Sequence, residues 1–401
     1  MRLTADLKSR IRDLSSESPE SIALMARRHP DLPMAFIAQQ VKARQRIRKK
    51  LPSWFANEDI EFPDTLPLEQ CSSELAAHYR ASLLSGELLA DLTGGFGVDA
   101  AGFARTFSKV YHVEQDESLS NLVTRNIEAL DLGEKFEVIH ADGIRWLDSQ
   151  ENGFDALYLD PARRDHRGLK VSSLEACEPD LSRIWGNLLS KAKVVAVKLS
   201  PGLDIDATLK ELPGICEVHI LSIGNECKEC CYLARRDWKG GARIVCANHC
   251  REFEWNCFEF SREEEKSCEG SYGGFQRYLY EANPSIMKGG GFKVLGDRIG
   301  IPLVHPRTRF YASDQLISDF PGRVFEILGQ GELRRKSASE LFPDRQANVM
   351  ARNVGLSSEE LKNRLKLRDG GSLYAIGAMD VSGKRRLLKC IRVRENAAVY
   401  E

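Results

Sequence analysis

The sequence is poor in every feature that would place it in a special class. No stretch approaches the run of about 18 apolar residues that a membrane-spanning helix needs. Residues 1–16, MRLTADLKSRIRDLSS, hold no apolar core of the kind a secretory leader requires. A cytoplasmic protein with no membrane partner is therefore expected. Cysteine supplies 11 of 401 residues, an odd number and too few for a disulfide-built scaffold. Internal repeats and low-complexity tracts are absent, which excludes collagen-like and mostly disordered chains. Net charge is nearly absent too. Lysine and arginine number 57 against 58 aspartates and glutamates, so the whole-chain charge of −1 names no partner.

What is present is the balance of a globular chain, with 42% apolar and 29% charged residues. At about 150 residues per domain the length suggests two or three domains. Charge taken by segment says more than the total. Residues 1–80 carry +2, residues 331–401 carry +6, and the stretch between them carries −9. The basic character sits at the two ends, in Lys42, Arg44, Arg46, Arg48, Lys49 and Lys50, and in Lys384, Arg385, Arg386, Lys389, Arg392 and Arg394. These are candidate phosphate-binding surfaces, with a solvated charged face as the plain alternative.

The pattern changes along the chain. Residues 1–80 read as helical, with apolar positions such as Leu7, Ile11 and Leu14 at helical spacing, and helices expected from Pro33 to Lys50 and from Leu68 to Leu84. From Gly86 onward, five short apolar runs (GELLADLTG, KVYHVEQD, KFEVIHAD, FDALYLDP and AKVVAVKLSP) alternate with helical stretches at 98–107, 117–130 and 174–190. That alternation predicts an α/β domain with a parallel sheet. EVHILSIG and CCYLARRD read as a closing antiparallel hairpin, and residues 242–260 as further strands. SREEEKSCEGSYGG is a plausible boundary. Beyond Phe325 an α+β unit is expected, with a helix over 357–368 and strands around 373–379 and 385–394. The domains read as 1–80, 81–262, 263–323 and 324–401.

The strongest chemical signal is Asp91-Leu92-Thr93-Gly94-Gly95-Phe96-Gly97-Val98-Asp99 after the first strand. Glycines there let the backbone approach a ligand where a helix begins. The bare pattern fits a dinucleotide or S-adenosylmethionine equally. The acids decide. Asp91 closes the first strand and suits a cationic or amine-bearing cofactor. Glu114 closes the second, placed for ribose hydroxyls, and Asp142 follows the third, placed to accept from an adenine amino group. Ligands of an open parallel sheet bind beyond the carboxyl ends of its strands, where these acids lie. The fourth strand ends in Asp160-Pro161-Ala162-Arg163-Arg164, a rigid polar turn beside the transferring group. Asp99 reads as a charge at a helix N-terminus.

Residues 86–235 resemble a class I S-adenosylmethionine-dependent methyltransferase. Thr93 departs from the usual pattern, standing where the first glycine is common. The turn is similar to that of ribosomal-RNA guanine-N2 methyltransferases, which also end a strand in Tyr-Leu-Asp-Pro, here Tyr158–Pro161. The whole chain resembles the bacterial methyltransferases that carry a C-terminal THUMP-like domain. The resemblance runs through KKLPSW (49–54), EQCSSELAAHYRA (69–81), LDPARRD, GNECKE (224–229), YEANPSIMKGG (280–290), FPGRVFEI (320–327) and ARNVGLSSEELKNRLKLRDGGSLY (351–374). It implies a Rossmann-like sheet domain, a ferredoxin-like domain near 280–322 and a THUMP-like domain. It also implies S-adenosylmethionine as cofactor, with Ser73 bordering it, and RNA (tRNA or rRNA) as partner, because THUMP domains usually present RNA to attached enzymes.

Absences narrow the reaction. Amino-directed base methyltransferases usually place Pro and an aromatic residue after Asp-Pro, the ring stacking on the flipped base. Here Ala162 and Arg163 stand in those positions, leaving Asp160 to accept from an amine and Arg163 to stack or to bind phosphate. Uridine C5 chemistry needs a cysteine near the end of the fifth strand. That position reads Lys198-Leu199-Ser200-Pro201. Cys227, Cys230, Cys246 and Cys250 have nearly zinc-ribbon spacing, but buried free cysteines account for them as well, and no metal is expected. The expectation is a methyltransferase acting on an RNA base nitrogen, with guanine N2 the leading candidate. In it Asp160, Pro161 and Arg163 are catalytic, and Asp91, Thr93, Gly95, Gly97, Glu114, Asp142 and Ser73 surround the cofactor. The alternatives are an enzyme acting on a protein or small molecule, and a non-catalytic RNA-binding protein that retains the fold.

Overall fold

The computed structural model describes residues 3–163, 174–251 and 254–393. Arg164 and Arg394 lie outside the described residues, and of Arg163 and Cys250 only the backbone is described. Two compact units emerge, one of Met1–Cys216 with Cys230–Gly240, the other of Glu217–Glu229 with Gly241–Glu401.

In chain order the first strands are β1 (Gly86–Asp91), β2 (Phe107–Glu114), β3 (Phe136–His140), β4 (Phe154–Leu159), the short β5 (Ala162–Arg163) and β6 (Cys177–Glu178), β7 (Ala192–Leu199), β8 (Ile215–Ile223) and β9 (Glu226–Ala234). The sheet of the first unit runs β9-β7-β4-β1-β2-β3. Its strands are parallel except β9, which lies antiparallel to β7. Register aligns the carboxyl ends. Asp91 is level with His112 on one side and Tyr158 on the other, and Leu159 with Val197. The expected hairpin turns through Gly224-Asn225, both at positive φ, the requirement of a type I′ turn.

Helices match the expected places with shorter spans. The helix expected over 98–107 is Val98–Phe103, and the one expected over 174–190 begins at Leu181, capped by the Asp180 carboxylate. The helix expected from Leu68 to Leu84 is two, Thr65–Gln70 and Glu74–Ser82. The break follows from extended backbone at Cys71 and from the Ser73 hydroxyl, which accepts from Ala76 N–H and starts the second helix. Ala43, Ile47, Trp54 and Phe62 share one buried cluster with Phe96, Val98 and Leu122, so the residues ahead of β1 pack on the sheet's own helices.

The basic run at 42–50 is only partly a charged face. Arg44 donates to the carbonyls of Phe55, Glu58 and Ile60, and its guanidinium lies 5.1 Å from the Phe62 ring centroid. Lys50 donates to the Leu68 and Glu69 carbonyls, and Arg46 pairs with Glu69. These cations hold the loop at 55–69 in place.

In the second unit β10 (Arg243–Arg251) runs parallel to β8 and pairs antiparallel with β11 (Glu254–Ser261). The charged stretch read as a boundary forms the helix Arg262–Ser267 with a Ser261/Glu264 capping box. Glu265 accepts there from the Lys293 and Val294 amides at 3.1 Å. The remaining strands are β12 (Tyr278–Ala282), β13 (Phe310–Ser313), β14 (Gly322–Glu332), β15 (Asn348–Arg352), β16 (Leu373–Met379) and β17 (Arg385–Arg392). They form one six-stranded sheet in the order β13-β12-β14-β17-β16-β15. Glu281 is buried on β12 and binds Arg323 and Arg352 together. Among the described residues no helix is long and apolar enough to cross a membrane.

Candidate active site

The carboxyl ends of β1, β2 and β4 converge on the glycine turn. Asp91 is 1% exposed, and its Oδ1 accepts from Thr93 N–H at 3.1 Å. The turn then bonds to its neighbours through the backbone. Leu92 N–H donates to Tyr158 O at 3.0 Å and Gly94 N–H to Val113 O at 2.9 Å. Glu114 clamps the turn from β2. One carboxylate oxygen accepts from Gly95 N–H at 2.7 Å and the other from Asp116 N–H at 2.8 Å. Gly95 and Gly97 sit at φ +59° and +83°, where a side chain is strained, and Gly97 starts the helix Val98–Phe103.

Gly94 is needed for a different reason. A Cβ there would stand 2.4 Å from Cε1 of His112, whose imidazole lies directly beneath the turn. His112 is fully buried, and burial pulls its pKa down to about 4, so the ring is neutral. Nothing in its local sequence singles His112 out; only the pairing of β1 with β2 brings it under Gly94.

Asp142 lies close by. Its Oδ1 caps the helix Gly143–Asp148, accepting from Ile144 and Arg145 amides at 3.1 and 2.9 Å. A Cβ on Gly143 would come within 2.0 Å of Leu92 O, so only glycine lets this helix start against the turn. Five of the acids and glycines expected at the site therefore meet here: Asp91, Gly95, Gly97, Glu114 and, through its neighbour, Asp142.

Asp160 joins them through Thr93, whose hydroxyl accepts from Asp160 N–H at 2.6 Å. The Asp160 carboxylate pairs with Lys198 at the end of β7. Lys198 also donates to Ser72 Oγ at 3.1 Å; Ser72 in turn donates to Asp99 Oδ2 at 2.7 Å and accepts from Arg80 at 2.7 Å. Arg80, 1% exposed, pairs with Asp99. Asp99 is thus more than a charge at a helix end: it is half of a buried ion pair. Ser73, expected at the cofactor, is engaged as a helix cap, and Ser72 is the hydroxyl that enters this network. Ser72, Arg80 and Lys198 escape sequence reasoning. The end of the fifth strand was informative for its lysine rather than for a missing cysteine.

Among the described residues the charges do not balance: four carboxylates (Asp91, Asp99, Asp160 and Glu114) face two cations, Arg80 and Lys198. Burial pushes Asp99 up, but Arg80 and Lys198 outweigh it and hold the carboxyl below its usual range. Asp160 moves up, because burial exceeds the pull of Lys198. Among the described residues a third of its side chain (33%) meets solvent. Asp91 is pushed well above the ordinary carboxylate range by burial and then by Asp99, Asp160 and Glu114. Among the described residues neither Asp91 nor Glu114 pairs with a cation, and of the two only Asp91 is buried.

Cys230 and Cys246 are buried thiols, and burial raises the Cys246 pKa. Among the described residues no three His, Cys, Asp or Glu side chains gather closely enough to hold a metal ion.

The chain is similar over its length to a protein of Porphyromonas gingivalis W83 proposed to be a methyltransferase. The two share 28% identity and a TM-score of 0.86 over 97% of this chain and 98% of that one. A ferredoxin-like domain model matches residues 278–321 and a THUMP domain-like model residues 322–392. The chain has the architecture of a class I methyltransferase with ferredoxin-like and THUMP-like domains. Partial likenesses include a T. thermophilus 16S rRNA N2 G1207 methyltransferase in complex with AdoMet and guanosine, at 20% identity and a TM-score of 0.32 over 44% of each chain. An M. jannaschii tRNA m1G37 methyltransferase follows at 12% identity and a TM-score of 0.29, over 42% of this chain and 51% of that one. Scores this low carry no argument about the site. No curated protein matches the chain.

Proposed function

We propose that the protein transfers a methyl group from S-adenosylmethionine to a base nitrogen of RNA, with guanine N2 the leading candidate. The observation that carries the cofactor is the uncompensated carboxylate cluster. Asp91 is buried, has no cation beside it among the described residues, and is set against a glycine turn held open by positive-φ glycines. A ligand bearing an ammonium and a sulfonium matches that deficit, where a pyrophosphate would add to it. The residues present therefore fit the cofactor.

Bound S-adenosylmethionine supplies a methyl group already activated on sulfur. The chain's own residues bind and align. Asp91 and Thr93 face the cationic end, Gly95 and Gly97 give backbone access, Glu114 accepts from the ribose, and Asp142 from the adenine amino group. Ser73 borders the site from the helix before β1. Asp160 accepts a hydrogen bond from the target amine and takes up the proton that nitrogen sheds on methylation. Pro161 fixes the turn that aims it, and Arg163 receives the base or a flanking phosphate. Alignment supplies most of the rate, since a held near-attack geometry is worth about 7–11 kcal/mol.

The RNA reading is supported by the THUMP domain-like match at 322–392 and by the concentration of positive charge in residues 331–401. The test has two arms. Calorimetry with S-adenosylmethionine is expected to show binding by the wild type and loss in Glu114→Ala; absence of binding, or a variant equal to wild type, removes the cofactor claim. Mass spectrometry of nucleosides from a deletion strain is expected to miss one methylated base, and an unchanged profile removes the RNA claim.

A further inference from the structure

At the opposite end of the first unit's sheet is a cleft of about 670 Å³, lined from the starts of β4 and β7 and the turn after β9. That is within the 300–1,000 Å³ range of ligand sites. Six residues of β4, at about 3.3 Å each, put it roughly 20 Å from Asp160. Four cations line it, Lys191, Lys193, Arg235 and Arg236, against Asp155 and Asp237.

The acids are largely neutralised. Asp155 accepts from Lys193 at 2.7 Å and from the Glu87 and Leu88 amides at 2.8 and 3.0 Å, and the Lys193 bond leads in holding its pKa low. Arg236 covers the carbonyl end of helix Leu181–Lys191 by donating to Leu189 O and Ser190 O, so the helix terminus does not turn the cleft negative. Lys191 spends one of its three N–H donors on Gln150 O. Lys191, Arg235 and Arg236 thus outweigh Asp237. The aromatic element is Trp238, 43% exposed on the cleft wall. A Cβ at Gly240 would stand 3.0 Å from its ring, so a side chain there would crowd the indole.

A partly exposed indole beside cations that have no acid partner among the described residues suits a ligand with a π face and phosphates. It suits an acidic peptide poorly, because that brings no ring to the indole. We propose that this cleft binds a segment of single-stranded RNA, one base stacked on Trp238 and its phosphates on Lys191, Arg235 and Arg236. The choice of RNA over other polynucleotides rests on the function proposed above; the cleft does not depend on methyl transfer.

The test is fluorescence anisotropy of a labelled single-stranded oligoribonucleotide with the full chain, with polyglutamate as competitor. Trp238→Ala and Arg235→Ala are each expected to weaken binding about tenfold, Trp238→Tyr to restore most of the loss, and polyglutamate to compete poorly. S-adenosylmethionine affinity is expected to stay at the wild-type value in all three. Variants that bind like wild type, or polyglutamate that competes as well as unlabelled RNA, overturn the inference. Trp238-dependent binding by a protein that takes no S-adenosylmethionine removes methyl transfer and leaves the cleft standing. Cofactor binding with no dependence on Trp238 does the reverse.

Discussion

Asp91→Asn is expected to act in opposite directions on the free protein and on its complex with S-adenosylmethionine. In the free protein the carboxyl is 1% exposed and faces Asp99, Asp160 and Glu114, so its pKa stands well above the ordinary range. The folded state then keeps a proton that the unfolded chain gives up. Stability from that proton is complete below the unfolded carboxylate pKa and declines as pH rises through the folded one. An amide still accepts from Thr93 N–H, at 3.1 Å in the native turn, and carries no charge to desolvate. The variant should be at least as stable as wild type at neutral pH, and its stability should lack the decline.

The complex should respond the other way. A hydrogen bond to a charged group contributes about 1.5–3 kcal/mol, so losing the charge should weaken cofactor binding about 10- to 150-fold. A cationic ligand favours the ionised carboxylate. Wild-type affinity should therefore rise with pH below the folded Asp91 pKa, approaching about tenfold per pH unit, with release of one proton. Isothermal titration calorimetry across the neutral range, in buffers of different ionisation enthalpy, reads both quantities. If Asp91→Asn binds within about twofold of wild type and keeps the same pH slope, Asp91 is not the anion that the cofactor compensates, and the electrostatic argument for the site fails.

Two further predictions follow from the same network. Arg80→Ala should cost about 3–5 kcal/mol, the range for breaking a buried ion pair, measured by denaturant unfolding. Because Asp99's pKa is held low in the folded state, the stability it contributes is present above the unfolded carboxylate pKa and lost as pH falls through the folded one, so wild type should lose this advantage over the variant in acid. Gly94→Ala should cost about 1–3 kcal/mol by overpacking, since the new methyl meets the buried His112 ring at 2.4 Å. Thermal unfolding of Gly94→Ala in a His112→Ala background should show most of that penalty removed, and equal penalties in both backgrounds would exclude the steric account.

The parts of the fold legible in sequence are those set by neighbours along the chain. Alternating apolar runs and helical stretches predicted the parallel strands from β1 to β7, and a two-residue Gly-Asn turn closes the expected hairpin. The acids at strand ends were legible because a parallel sheet brings all its carboxyl ends to one edge, whatever the strand order. Their counter-ions were not. Lys198 reaches Asp160 only because β7 lies beside β4, and Arg80 reaches Asp99 only because the helix Glu74–Ser82 packs on Val98–Phe103. Those are facts of tertiary order with no local spacing. Charge summed by segment is equally blind to tertiary order at 42–50, where Arg48 and Lys49 are exposed and Arg44 is not. A count cannot tell an arginine that meets water from Arg44, which turns inward to four backbone carbonyls.

Thr93 shows what a departure from a motif can mean once its geometry is known. Glycine is common at this place in the cofactor turn, and a glycine there would leave Asp160 N–H without the hydroxyl that meets it at 2.6 Å. The same hydroxyl stands 3.5 Å from Asp91 Oδ1. One side chain therefore ties the turn that would hold the cofactor to the turn that would hold the acceptor. Lys198 fixes the Asp160 carboxylate from the other side, while Ser72 and Asp99 anchor Lys198 to Arg80 beneath. This chain lacks the aromatic ring that usually follows Asp-Pro and steadies a flipped base, Ala162 and Arg163 taking that position. Asp160 is instead held at its backbone by Thr93 and at its carboxylate by Lys198. Under the proposed function, the rigidity that amino-directed base methyltransferases draw from stacking on the substrate is built into Asp160 itself.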